Sequence, residues 1–228
     1  MLTWKDDREL FQIIRRHLYS AVVGDILDKM GYTHQFLPAR IQPLRPDMIL
    51  AGRAMPALEA DAVGGQGRHN EVLKKSFGLM LEALDDLKED EIYICTGASP
   101  TYALWGELMC TRAKMLGAAG AVMNGYSRDT KGILELDFPV FSYGRYAQDQ
   151  APRGMVVDYR VPIEIEGVRI RPGDILVGDC DGVVAVPQEA ETEVIRQAYE
   201  KAMGENLVRK AIQQGMSARE AFEKYGIM

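Results

Sequence analysis

The sequence predicts an α/β fold with a mixed sheet and a helical C-terminal tail, and three observations carry that reading. The middle of the chain alternates helical stripes with short apolar runs such as 118–123, which suit strands covered on both faces. Residues 155–170 instead alternate apolar with polar and contain a Glu166-Gly167 turn, as antiparallel strands do. Beyond Pro187 the chain is helix-forming. Its 228 residues suit one large domain with appendages. The expected division is an α/β domain with its N-terminal helices over 1–187 and a helical extension over 188–228.

Residues 6–19 read as an amphipathic helix with Leu10, Phe11, Ile14 and Leu18 on one stripe. Ser20 is a good N-cap for a second helix, which buries Val23, Ile26, Leu27 and Met30 and stops at Gly31. Its Asp25 and Asp28 lie three apart, a spacing that suits a metal, but a solvated face is the better reading. Pro38, Pro43 and Pro46 make 36–46 a connector, and 48–58 is a strand interrupted at Gly52 and Pro56. Gly64-Gly65-Gln66-Gly67 is a flexible loop; no Gly-Lys-Ser/Thr ending makes it a phosphate loop. Arg68 either opens a helix at the surface or reaches the distal end of an acidic substrate, and His69 reads as surface. A helix at 71–87 and a strand at 92–96 lead to the central stretch.

That stretch, 105–129, reads as a helix followed by a buried strand. Leu108, Thr111, Met115 and Leu116 form the expected apolar stripe, with Ala113 small enough for close packing, and Gly117 ends the helix. Asn124-Gly125 breaks the strand, and Arg128-Asp129 follow in the loop at its carboxyl end, where open parallel sheets bind ligands. One place thus gathers a helix N-terminus at Gly106 that attracts anions, a guanidinium that grips carboxylates with two hydrogen bonds, and a carboxylate suited to a hard divalent cation.

The later elements are a helix at 130–136, a strand at 138–142, an irregular stretch at 143–154 and a strand at 155–165 with Val157, Tyr159, Val161 and Ile163 on one face. A return strand follows at 168–170. Strands at 175–177 and 183–186 flank Asp179-Cys180-Asp181-Gly182. This segment is too short for an EF-hand and reads as a turn with Asx hydrogen bonds. The tail divides into helices at 188–203 and 206–213 and a final helix from Ser217 to Tyr225, with Glu220 completing a capping box.

Composition narrows the function. A net charge of −6 gives no electrostatic case for nucleic acid or an anionic membrane. No run of about 18 apolar residues exists to span a bilayer. The first eight residues have no apolar core for a signal peptide, so a cytoplasmic protein is expected. Cys95, Cys110 and Cys180 are far apart among apolar neighbours and read as buried free thiols, neither disulfide nor zinc ligands. No nucleophile elbow is present, the three histidines lack metal spacing, and Lys114 and Lys131, the nearest lysines for a Schiff base, look solvent-facing.

Gly106-Glu107-Leu108-Met109, Arg128-Asp129, Asp137-Phe138-Pro139-Val140-Phe141, Arg171-Pro172-Gly173-Asp174 and Gly178-Asp179-Cys180-Asp181-Gly182-Val183-Val184 occur in one order. Together they resemble the regulator-of-ribonuclease-E-activity A-like (RraA-like) family, which includes class II 4-hydroxy-4-methyl-2-oxoglutarate / 4-carboxy-4-hydroxy-2-oxoadipate aldolases. The resemblance covers about residues 20–187 and implies a compact α/β domain similar to the swivelling phosphohistidine domain. It also implies a homotrimer or a homohexamer of two trimers, with active sites between subunits. Cleavage of a 4-hydroxy-2-oxo acid to pyruvate is the implied activity, with oxaloacetate decarboxylation beside it. On this reading Gly106, Glu107, Leu108, Met109 and Arg128 bind substrate. Asp129 holds Mg2+, or Mn2+ in its place, and Arg128 and Glu107 are catalytic. A neighbouring subunit would add an acidic residue, with Glu189, Glu191 and Glu193 as candidates. The competing readings are an RraA-type regulator that inhibits a ribonuclease by contact, and a lyase acting on another sugar-derived 2-oxo acid.

Overall fold

The computed structural model describes residues 2–62 and 70–227, and Arg68 and His69 lie outside the described residues. The chain opens with α1 (Asp7–His17), α2 (Ser20–Lys29), β1 (Gln42–Pro43) and β2 (Leu50–Asp61). A 3-10 turn (Val72–Lys74) precedes α3 (Met80–Asp85), β3 (Glu91–Thr96), β4 (Ala103–Trp105), α4 (Glu107–Met115) and β5 (Gly120–Met123). Next come β6 (Tyr126–Ser127), α5 (Thr130–Glu135), β7 (Val140–Ser142) and β8 (Gly154–Tyr159). The hairpins β9 (Ile163–Ile165) with β10 (Val168–Ile170) and β11 (Ile175–Asp179) with β12 (Gly182–Val186) lead to α6 (Glu191–Gln213) and α7 (Ala218–Tyr225).

The main sheet runs β1-β7-β5-β3-β2-β11-β12, and β8 also pairs with β2. Strands β2, β3, β5 and β7 are mutually parallel, whereas β8, β11 and β12 enter antiparallel, so the sheet is mixed as expected. The segment before β1 bonds to β12, through Leu37 N–H to Val183 O and Ala185 N–H to Gln35 O, and nearly closes the sheet on itself.

Period-two alternation along these strands sorts the core into three groups. Ile92, Ile94, Val122, Phe141, Leu176 and Val183 face the inside of the curled sheet. Tyr93, Cys95, Ala121, Met123 and Val140 point the other way, onto the side covered by α3, α4 and α5. Ile175, Val177, Val184 and Val186 pack outward against α1, α2 and the first half of α6. Arg53 ties that side together: it bonds Asp7 of α1 at 2.7 Å, Glu191 of α6, and the Gly173 carbonyl at 3.1 Å.

Several local expectations need correction. Gly52 and Pro56 do not interrupt β2. Pro56 sits in register with Ile94 and accepts from Arg160 N–H, and a Cβ at Gly52 would come within 2.3 Å of Asp90 O. The helix expected at 71–87 is cut at Gly78, whose φ is +62° where it meets Val156, leaving a 3-10 turn and the short α3. The strand at 155–165 breaks at Arg160, φ +54°, into β8 and β9, which belong to different sheets. The tail helices at 188–203 and 206–213 are one continuous α6. Ser20 is the first helical residue; the N-cap is Tyr19, and the serine hydroxyl bonds Asp179. Cys180 is exposed at its turn, while Cys95 and Cys110 are buried thiols.

Candidate active site

Two loops at the carboxyl ends of β3 and β5 are zipped together by the small parallel pair β4–β6. Arg128 N–H donates to Trp105 O at 2.8 Å, which sets Arg128-Asp129 beside Gly106. Gly106 is the N-cap of α4 and has no side chain to cap it. A Cβ there would lie 2.7 Å from Asp129 Oδ2, so glycine leaves the carboxylate its present position. The first intrahelical bond runs from Cys110 N–H to Gly106 O, leaving the N–H groups of Leu108 and Met109 ahead of the ladder.

Asp129 adopts a left-handed backbone, φ +55° and ψ +34°, one that aspartate tolerates better than most side chains, and begins α5. Its Oδ2 has only long contacts: 3.4 Å to Glu107 N–H and 3.4 Å to Arg128 Nε. No described residue donates to its Oδ1. Arg128 also pairs with Asp149 Oδ1 at 3.2 Å. These groups line a cavity of about 190 Å3 with Ala103, Leu104, Trp105, Leu108, Met109 and Gln150, and with Phe77 and Met80 on its apolar wall. A second cavity of about 280 Å3, lined by Arg128, Asp129, Thr130, Arg145 and Tyr146, shares the same pair.

Trp105 gives the floor its rigidity. The indole is buried, donates to Cys110 Sγ at 2.8 Å, and stacks on Phe138 with Tyr93 5.0 Å away. Burial pushes the Cys110 thiol up to about 12, so it stays protonated.

Of the residues expected at the site, Gly106, Leu108, Met109, Arg128 and Asp129 come together around the cavity. The Glu107 side chain does not line it. Glu107 Oε1 accepts from Thr111 at 3.2 Å, and its methylenes lie over Gly132 of α5, where a Cβ would meet Glu107 Cγ at 2.4 Å. The apolar stripe expected on α4 is also overturned. Cys110 and Ala113 face the core, while Leu108 is 78% and Met115 77% exposed. The core face of α4 is narrow because a cysteine and an alanine already fill the space against β3 and β5. Asp149 and Gln150 had not been foreseen, since the stretch that carries them has no periodicity. Lys114 and Lys131 are both solvent-facing, as expected.

The donor set at Asp129 fits a hard cation that keeps most of its waters: one half-exposed carboxylate with a free oxygen, beside open space. Among the described residues, three candidate ligands cluster at Asp179, Cys180 and Asp181 instead. There Asp179 is already engaged by Ser20 N–H at 2.6 Å, Ser20 Oγ at 2.7 Å and Asp181 N–H at 2.9 Å.

These features define an α/β protein with an uncapped helix N-terminus, an arginine and a carboxylate at the carboxyl edge of its parallel strands. The chain belongs to the RraA-like family, whose profile, described as Aldolase/RraA, matches residues 20–185. A relative from Halalkalibacterium halodurans, named "Putative 4-hydroxy-4-methyl-2-oxoglutarate aldolase", is 33% identical over 174 residues, 76% of this chain and 82% of its own. A solved structure described as novel cellulases from microbes associated with the gut ecosystem shares 32% identity. Its TM-score is 0.79, over 90% of this chain and 89% of that one. RraAS2 of Streptomyces coelicolor, described as an unusual member of the RNase ES inhibitor RraA protein family, has the same fold. Its TM-score is 0.75 at 23% identity, over 91% of this chain and 99% of its own. No described helix is long and apolar enough to cross a membrane.

Proposed function

We propose that this chain is a metal-dependent lyase that cleaves a 4-hydroxy-2-oxo acid to pyruvate and a carbonyl product, with oxaloacetate decarboxylation as a side activity. The observation that carries the reading is the convergence of Arg128, Asp129 and the open first turn of α4 on one cavity. The substrate carboxylate is held by the free N–H groups of Leu108 and Met109 and by the positive end of the α4 dipole. Arg128 bridges carboxylate and 2-keto oxygens, and its planar fork stabilises the negative charge that builds on the keto oxygen as the C–C bond breaks. Asp129 would hold a divalent cation, Mg2+ by preference or Mn2+, which would supply further positive charge to the site. Phe77 and Met80 give the cavity one apolar wall.

Glu107 is assigned to orient the water that carries protons to and from substrate. Its present hydrogen bond to Thr111 means that this role requires the side chain to turn toward Asp129. A neighbouring subunit, in a trimer or hexamer, would complete the site over the exposed Leu108 and Met115. In this reading the protein works in the cytoplasm on a small soluble acid.

The same exposed α4 face supports a second reading, a regulator that binds a ribonuclease by contact, and the RraAS2 likeness keeps it in view. One screen separates the two. A panel of 4-hydroxy-2-oxo acids, sugar-derived ones among them, and oxaloacetate is coupled to pyruvate detection, with and without Mg2+. Pyruvate release lost on chelation and restored by Mg2+ supports the lyase. No release from any member, together with inhibition of a ribonuclease, supports the regulator.

A further inference from the structure

Beneath the cavity lies a polar pair with no assigned role. Glu59 of β2 is 3% exposed, and the Gln150 amide nitrogen donates to its carboxyl. Burial pushes Glu59 up to about 8. An apolar side chain would fill this space at less cost. What the carboxyl adds is one fixed acceptor for the Gln150 amide nitrogen.

That bond decides what Gln150 shows to the cavity it lines. With the nitrogen tied to Glu59, the amide oxygen Oε1 is left over. No described residue donates to it, yet the fully enclosed side-chain atom that lacks a partner is the Tyr93 hydroxyl, and Gln150 Oε1 is not another. Gln150 lines the cavity, and among the described residues its Oε1 is an acceptor left for a ligand there. An acceptor in a largely apolar wall calls for a ligand that brings a donor. Carboxylate and keto oxygens bring none; a hydroxyl does.

We propose that Gln150, oriented by the positioning residue Glu59, selects acids that carry a further hydroxyl group beyond C2, through a hydrogen bond to its amide oxygen. The inference rests on the 2-oxo acid reading of this cavity and adds the group that separates a hydroxylated substrate from an unsubstituted acid. A site that places a buried polar atom for a hydroxyl discriminates against the analogue lacking it, because the atom is otherwise left unpaired.

The test uses two ligands that cannot undergo the cleavage, 2,4-dihydroxyglutarate and 2-hydroxyglutarate, titrated calorimetrically into the full chain in Mg2+. The wild type is expected to prefer the dihydroxy acid by about tenfold, the value of one well-made hydrogen bond. Gln150→Met keeps the side-chain length, removes the acceptor, and should bring the ratio to about one. Glu59→Leu removes the acceptor that ties the amide nitrogen, so it no longer fixes the amide and should give an intermediate ratio with 2-hydroxyglutarate affinity unchanged. A purely structural role would weaken both ligands alike. If Gln150→Met does not fold, Gln150→Asn, which withdraws the oxygen by one methylene, should lose the preference instead. Equal affinities in the wild type, no binding of either ligand, or an unaltered ratio in the Gln150 variants would overturn the proposal. A hydroxyl preference in a protein that releases no pyruvate supports it and removes the lyase reading alone.

Discussion

Asp129 and Asp179 both stand where a strand gives way to a turn, both are acidic residues in a recurrent sequence pattern, and they have opposite surroundings. Asp179 receives three hydrogen bonds of 2.6–2.9 Å from Ser20 and Asp181, and so joins the first turn of α2 to the β11–β12 turn. Asp129 receives two contacts of 3.4 Å, has one oxygen without a donor, and stands on a left-handed backbone beside a glycine that makes room for it. A carboxylate whose lone pairs are filled by its own chain supports the fold. One held in place by backbone geometry, with its lone pairs unspent, is available for chemistry. Residue type and spacing do not distinguish the two; the count of local donors does.

The contrast can be broken most directly at Asp129. Asp129→Ala should lower pyruvate release roughly 100- to 1000-fold with circular dichroism unchanged. Wild-type turnover in this variant would place the cation elsewhere. Arg128→Lys should fail similarly in activity, because an ammonium cannot reproduce the planar fork.

Assembly sharpens the contrast, since a neighbour seated on α4 would alter the surroundings of Asp129 and leave those of Asp179 alone. Light scattering should give a trimer or hexamer, and Met115→Glu should shift it to smaller species and lower turnover with it. A fully active monomer would remove the neighbour from the site.

At Asp179 the expected loss is in stability. Asp179→Ala deletes the partner of a helix-start N–H and hydroxyl and should cost about 1–2 kcal/mol, with turnover per folded molecule retained. For a chain of this size that lowers Tm by about 2–4 °C per kcal/mol. Turnover lost in step with Asp129→Ala would erase the distinction.

A third carboxyl, Glu59, is buried and shows itself through pH. Its proton is held up to about pH 8 in the native state, and an unfolded chain releases it near 4.5. Between those values the unfolded state binds fewer protons, so stability falls as pH rises and levels off above about pH 8. Tm followed from pH 5 to pH 9 should drift downward, and Glu59→Gln should flatten the drift.

Much of this was legible in the sequence. The sharp signals were glycines and local pairs: Gly106 opening α4, Gly117 closing it, Glu166-Gly167 turning the hairpin and Ser217 with Glu220 capping α7. Arg128 and Asp129 could be placed at a strand's carboxyl end because the buried run before them is plain. What failed were judgements that need a partner. Periodicity showed Leu108 and Met115 on one stripe of α4, but not that the core already has Cys110 and Ala113 on another. Gly78 and Arg160 look ordinary in sequence, and their positive φ values arise from the pairing around β8. Asp149 and Gln150 left no trace, because a residue in an irregular loop acquires its role only from what the fold brings opposite it, here Arg128 and Glu59.

The buried indole under the cavity has an optical consequence. The chain has two tryptophans; Trp4 lies against Arg196 near the N-terminus, and Trp105 lines the cavity with its N–H bonded to a thiol and its ring against Phe138. A ligand entering between Arg128 and the apolar wall changes the polarity at one face of Trp105 and leaves Trp4 alone. The emission of a single native chromophore, isolated by Trp4→Phe, therefore reports occupancy without label, coupling enzyme or turnover.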